Sequence, residues 1–313
     1  MMEPRRVIIG ECWARDGLQN ERLIVPTKLK VEMIDALQDA GFKEIEVTSF
    51  ASPKTLPQFA DAEEVLSSIQ QKPGVNFRAI VTNLKGMERA VAAKQKGLKI
   101  DEIAMVISAS EAHNIANVNM THKENLLQLE SMCKMALANG FKILGWVLTS
   151  FGCPITGEVP MEKVLWFGHW WLSQGATWVG FGDTTGMANP KQVKRFYSRV
   201  REEGFQPEQV IVHFHDTRGS GIANNVAALE EGMIYFDCSV GGIGGQPATG
   251  SPLYHYGYAG NTCTEDLVWL FEQMGVKTGI DLNKLMAVGL RAESILGRKL
   301  RSNTVRCYAE KPG

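Results

Sequence analysis

The sequence predicts an α/β protein, a closed (β/α)8 barrel followed by an extra C-terminal helix. Three observations carry that expectation. Eight short β-branched runs recur along the chain, about 15–25 residues with apolar positions at helical spacing separate them, and no composition break or Ser/Pro-rich linker interrupts the 313 residues. Length alone would allow two average domains, yet barrels of this kind use such a chain as one unit. A single domain over 1–313 is expected, with the barrel over about 7–280 and a helical extension over about 281–313.

The strands are expected at 7–12, 44–50, 76–82, 102–108, 143–150, 178–184, 210–216 and 236–240. After the first, residues 29–40 place Leu29, Met33, Ile34 and Leu37 on one helical face, and Gly41 follows as a stop. After the fourth, residues 125–138 do the same with Leu126, Leu127, Leu129 and Met132 before Asn139-Gly140. Pro190 opens the helix after the sixth strand, where its missing N–H costs nothing. Residues 281–300 form the extra helix. No Gly-x-Gly-x-x-Gly opens a helix after the first strand, which disfavours an open dinucleotide-binding sheet.

Hydrophobic residues are 44% of the chain and charged residues 21%, a globular composition that excludes disorder. Lys+Arg 33 against Asp+Glu 34 leaves a net charge of −1, so no broad basic surface invites nucleic acid or an anionic membrane. The longest apolar stretches, such as 143–148, fall far short of the roughly 20 residues a bilayer span needs. The first residues carry arginines and few apolar positions, unlike a signal peptide. Six cysteines at 12, 133, 153, 238, 263 and 307 form no Cys-x-x-Cys pair. That suits a reducing compartment, and a cytoplasmic location is expected.

In such a barrel the active site gathers at the C-terminal ends of the strands. Those ends hold Arg15-Asp16, residues 46–49, Asp183-Thr184, His213, His215 and the loop 241–261. His213-Phe214-His215 is the sharpest signal. Side chains alternate along a strand, so both imidazoles would face the barrel mouth while Phe214 packs outward. Two half-buried histidines satisfied by hydrogen bonds are the bland alternative. Asp16 supplies a charged oxygen and Asn261 a carbonyl oxygen, and no cysteine belongs to this ligand set, which favours magnesium or manganese over zinc. Arg15 lies next in sequence to Asp16, placed to neutralise an oxyanion. Glu11 and Glu46 fall within strands and need a partner, for which Arg15 is the obvious choice. A rim metal, an arginine and carboxylates together describe enolate chemistry.

These residues carry a resemblance. Arg15 through Asn20 (RDGLQN), Ile45 through Phe50 (IEVTSF) with Ser52-Pro53-Lys54, Gly182-Asp183-Thr184, the His213 motif, the glycines of 242–245 and Gly260-Asn261 resemble the 3-hydroxy-3-methylglutaryl-CoA lyase family. Ser108 through Glu111, Gly152-Cys153-Pro154 and Thr264 through Leu267 extend the match, in order, from about residue 7 to about residue 300. The Arg-Asp pair and the His-x-His alone extend to the wider DRE-TIM metallolyase superfamily. The resemblance implies a TIM barrel whose Mg2+ or Mn2+ is held by Asp16, His213, His215 and Asn261. It implies cleavage of a 3-hydroxyacyl-CoA into an acyl-CoA and a keto acid, with an acyl-CoA as the bound partner and a homo-oligomer, dimer or tetramer. Arg15 would hold developing charge, Glu46 and Asp183 would support the site, and His213 would also move a proton. Gln19 is read as a substrate contact, and Arg298 and Lys299 fall where the family contacts CoA.

Two departures stand out. The family's cysteine after the glycine pair is Gln246 here, and a carboxamide cannot titrate. The same loop is longer, adding residues 251–258, of which His255 or a tyrosine could supply the missing proton or simply pack over the mouth. Trp13 replaces part of a small turn before Arg15 and either reaches the substrate pocket or packs beneath the rim. Four readings follow: a lyase for the six-carbon substrate, a relative acting on citramalyl-CoA or methylmalyl-CoA, a Claisen-type synthase, or a non-catalytic barrel binding CoA or a metal. The short chain beyond the barrel counts against the synthase. The four intact ligands count against the non-catalytic barrel.

Overall fold

Eight parallel strands pair in sequence order and the first closes on the eighth. The computed structural model of the chain describes residues 5–245 and 260–309. The strands are β1 (Ile8–Glu11), β2 (Glu44–Ser49), β3 (Asn76–Ile80), β4 (Glu102–Ser108), β5 (Lys142–Leu148), β6 (Trp178–Asp183), β7 (Val210–Phe214) and β8 (Tyr235–Cys238). Between them run α1 (Thr27–Ala40), α2 (Ala62–Ser68), α3 (Leu84–Gln95), α4 (Glu111–Val118) with α5 (His122–Ala138), α6 (Met161–Ser173), α7 (Pro190–Glu202) and α8 (Gly221–Glu230). After β8 come α9 (Thr264–Gln273), α10 (Leu282–Leu296) and α11 (Asn303–Ala309). This is the TIM-barrel architecture expected from the alternating pattern.

Strand alternation divides the core. On β4, Ile103, Met105 and Ile107 join the large apolar cluster that also holds helix residues such as Met33, Leu37 and Leu129. Ala104 and Val106 belong instead to a smaller cluster with Ile80, Leu144, Trp146 and Ile211, which fills the barrel interior. Helix ends follow local chemistry. Gly41 stops α1 at φ 112°, Thr121 and Glu124 form a capping box on α5, and Asn189 caps α7 ahead of Pro190.

The structure corrects several boundaries. β5 ends at Leu148 because Thr149 turns to φ 56°. β7 ends at Phe214, and His215 leaves it to bridge Asn261. The connection after β4 holds two helices where the pattern showed only the second. The extension is also two helices, and Arg298 and Lys299 lie past the end of α10, beyond Gly297 (φ 64°), rather than inside it. Among the described residues no helix is long and apolar enough to cross a membrane. All six cysteines are free thiols, and five are buried.

Candidate active site

The chain leaves β1 through a π-helical turn, Trp13–Gly17, in which Leu18 N–H donates to the Trp13 carbonyl at 3.0 Å. A wide turn of this type, frequent at functional sites, splits its side chains between two environments. Arg15 and Asp16 face a cavity at the C-terminal ends of the strands, whereas Trp13 is fully buried in the large apolar core. Trp13, expected as a possible substrate contact, therefore packs beneath the rim and does not line the cavity. The cavity holds about 470 Å³ and is lined by Arg15, Asp16, Gln19, His213 and His215 on one side. Ile80, Val106, Trp146 and Leu148 supply an apolar floor, and residues 116–120 of α4 and its exit form a wall.

Asp16, His213 and His215 present ligand atoms that lie within 4.8 Å of one another. The two Nε2 atoms are 2.9 Å apart, and His215 Nε2 is 3.7 Å from Asp16 Oδ2. Asn261 joins through its amide, which donates to Asp16 Oδ2 at 2.6 Å and to the Ile243 carbonyl at 3.0 Å. Its Oδ1 is buried without a hydrogen-bond partner. Two facing ring nitrogens, a carboxylate and an orphaned carbonyl oxygen suit a divalent cation with mixed nitrogen and oxygen ligands.

Arg15 ties the rim together. Nη1 donates to Asp16 Oδ1 at 2.8 Å and to Gln19 Oε1 at 3.4 Å, and Nη2 lies 2.7 Å from Glu46 Oε2. Burial opposes its charge, but Glu46 and Asp16 keep it firmly protonated. Burial would raise the Asp16 carboxyl, and the charge of Arg15 with the neighbouring imidazoles overrides it and holds the group well below the usual range. Burial wins at Glu46, which is raised despite Arg15. Glu11, the other expected partner of Arg15, faces elsewhere. Its carboxyl takes the Trp13 and Val240 N–H groups (2.8 and 3.0 Å) and the Thr264 hydroxyl (2.6 Å).

Asp183 is buried behind the cavity wall, where it accepts from the N–H groups of Met187 (2.8 Å) and Ala188 (3.1 Å). Burial pushes its carboxyl up to about 7. Among the described residues Glu46 and Asp183 do not line the cavity; Glu46 reaches it through Arg15. Arg298 pairs with Glu21 and Lys299 with Glu293 at 3.3 Å, outside the lining. Gln246 and His255 lie outside the described residues. The sequence reading missed Asp237, whose Oδ2 is 3.2 Å from His213 Nδ1. An aspartate inside an apolar strand was the available signal, since such a group is rarely buried without a partner.

A model of the HMGL-like family matches residues 6–290. The chain belongs to that family. HMGL-like relatives include the mitochondrial hydroxymethylglutaryl-CoA lyase of Homo sapiens, 39% identical over 97% of this chain and 90% of that protein. The hydroxymethylglutaryl-CoA lyase YngG of Bacillus subtilis is 37% identical over 98% of this chain and 99% of its own. Among solved HMGL-like structures, the Bacillus subtilis HMG-CoA lyase aligns with a TM-score of 0.91 at 36% identity, covering 99% and 100% of the two chains. An HMG-CoA lyase from Acinetobacter baumannii in complex with coenzyme A and 3-methylmalate aligns with a TM-score of 0.89 at 38% identity, over 96% of this chain and 94% of that one. The family is one of carbon–carbon lyases that depend on a divalent metal.

Proposed function

We propose that this HMGL-like chain is a lyase that splits 3-hydroxy-3-methylglutaryl-CoA or a close 3-hydroxyacyl-CoA relative into an acyl-CoA and a keto acid, using Mg2+ or Mn2+. The carrying observation is the convergence of Asp16, His213 and His215 beside Arg15 on one wall of the cavity. Asp16, both histidines and Asn261 are the residues that would hold the metal. When bound, a divalent cation supplies Lewis-acid stabilisation of an oxyanion.

The chain's own residues do the rest. The 3-hydroxyl gives its proton to a base, for which His255 of the loop is a candidate from the sequence, because His213 has Nδ1 on Asp237 and Nε2 turned to the metal position. The oxygen's electron pair then forms the ketone, the C2–C3 bond breaks, and its electrons pass to the thioester as an enolate. Arg15, locked by two carboxylates, presents a fixed positive charge to that developing anion, so little reorganisation is needed during the reaction. Protonation at C2 completes the acyl-CoA. The apolar floor of Ile80, Val106, Trp146 and Leu148 keeps water from the enolate. Asp183 orders the connection after β6, and Arg298 and Lys299 are read as solvent-side cations for CoA. A relative's structure holding CoA with 3-methylmalate supports a branched dicarboxylic acyl group.

Purified protein with Mg2+ or Mn2+ is offered 3-hydroxy-3-methylglutaryl-CoA, citramalyl-CoA and methylmalyl-CoA, and products are identified by mass. Release of acetyl-CoA with acetoacetate is the expected outcome. Turnover of the other two alone would move the specificity to a related lyase, and consumption of acetyl-CoA with a 2-oxo acid would replace the lyase by a synthase. Asp16→Asn and His213→Ala abolish turnover, whereas Gln246→Ala retains it. Full activity in both ligand variants would sink the assignment.

A further inference from the structure

Asp237 sits in β8 with His213 of β7 as its cross-strand neighbour on one side and Gly10 of β1 on the other. His213 Nδ1 lies 3.2 Å from Asp237 Oδ2; with the carboxylate oxygen as acceptor the hydrogen belongs on Nδ1, and Nε2 is left to face His215 and the Asp16 carboxylate. The other oxygen, Oδ1, lies 3.5 Å from Arg78 Nη1. Arg78 is itself fastened: its Nε pairs with Glu102, and Nη2 donates to the Tyr235 hydroxyl at 2.7 Å. Asn76 continues the line, donating to Glu102 at 3.0 Å and to Glu44 at 2.8 Å. Polar side chains thus run up the inside of the barrel, through β3, β4 and β8, to a ring at the rim.

Space for this line is made by an omission. A Cβ on Gly10 would stand 2.3 Å from Asp237 Oδ1 and 3.1 Å from the Tyr235 ring. Arg78, Glu102 and Asp237 are each at most 2% exposed, and a buried ion cluster offers no stability advantage over packed apolar residues of similar volume. Its value lies in what it holds still. A histidine that ligates a metal through one nitrogen is oriented by the partner of the other.

We propose that Asp237 is a positioning residue that fixes the tautomer and ring orientation of His213 for metal binding, and that Arg78, with the vacancy at Gly10, fixes Asp237. This rests on the reading of His213 as a metal ligand, and it is tested by binding of the metal rather than by turnover. Metal-stripped protein is titrated with Mn2+, followed by the electron paramagnetic resonance signal of the free ion, with near-ultraviolet circular dichroism as the check on folding.

Asp237→Asn keeps the shape but not the acceptor pair, and it should weaken Mn2+ binding about 10- to 100-fold. Gly10→Ala, which removes no polar group, should weaken it severalfold by displacing Asp237. Because both act through one carboxylate, the double variant should bind no worse than Asp237→Asn alone. Arg78→Lys, which keeps the charge but loses the fork, should fall between the parent and Asp237→Asn. An Mn2+ affinity for folded Asp237→Asn within twofold of the parent overturns the proposal, as do fully additive effects of the two substitutions. A parent that binds no Mn2+ overturns the metal reading itself, and the proposal with it.

Discussion

Arg15 is the one Lys or Arg among the described residues lining the cavity, and its value lies in its fork. One guanidinium nitrogen is committed to Asp16 and the other to Glu46. An ammonium carries the same charge but has no planar fork to serve both carboxylates. Arg15→Lys should therefore lower kcat by about 10²- to 10³-fold, the scale of losing one oriented oxyanion donor. Steady-state kinetics beside circular dichroism checks this, and a loss confined to KM would show that Arg15 only binds substrate. That Arg15 would face the barrel mouth was legible in the sequence, because it follows closely on the C-terminal end of the first strand. Its choice of Glu46 over Glu11 was not. The π-helical turn decides it, by carrying Arg15 away from the Thr264 and Val240 side of β1 where Glu11 is held.

Elements were legible wherever local pattern decides them. All eight strands could be read from short runs, most of them β-branched, although Tyr235–Cys238 of β8 holds no β-branched residue, and the shared facing of His213 and His215 followed from strand alternation. What depended on contacts between distant segments was hidden. The end of β7 is set by the bridge from His215 to Asn261, 46 residues on, and the buried line from Arg78 to Asp237 exists only in the register of the closed barrel. The short α4, which walls the cavity, carries an exposed Ile115 and too few residues for a clear period. Strand pairing also predicts where the floor of the cavity is fragile. Trp146 of β5 lies over Gly180 of β6, where an added Cβ would come within 2.1 Å of the ring, and the same ring meets His213 edge-on at 5.3 Å between centroids. Gly180→Ala should cost about 1–3 kcal/mol through overpacking and disturb the floor beside His213. Adding Trp146→Phe should return part of that stability, measured by urea unfolding of all four members of the cycle. Simple additivity would show that Gly180 does not act through Trp146.

At the scale of the whole fold, several of the described carboxyls are buried without a cation in an ion pair, and this gives the stability a direction in pH. Burial raises Glu11 to about 8, and Glu44, Asp183 and Glu265 each to about 7. Glu11 is raised furthest: among the described residues its hydrogen-bond partners are Thr264 and two backbone N–H groups rather than a cation, and the neighbouring Glu265 carboxyl adds to the rise. Below pH 4.5, its ordinary value, both folded and unfolded chains hold the proton, and nothing changes with pH. Between 4.5 and about 8 the folded chain keeps a proton that the unfolded chain has lost, so stability falls as pH rises; above 8 the cost is constant. One such proton is worth about 1.4 kcal/mol per pH unit at full difference. In Glu11→Gln the amide oxygen can still accept both N–H groups and its NH2 can meet Thr264, so the variant should match the parent near pH 5 and exceed it at pH 8. Urea unfolding of the metal-free protein at half-unit steps should give a shallower decline for Glu11→Gln across that window. Parallel curves for parent and variant would mean that Glu11 titrates alike in both states and is not held protonated by the fold.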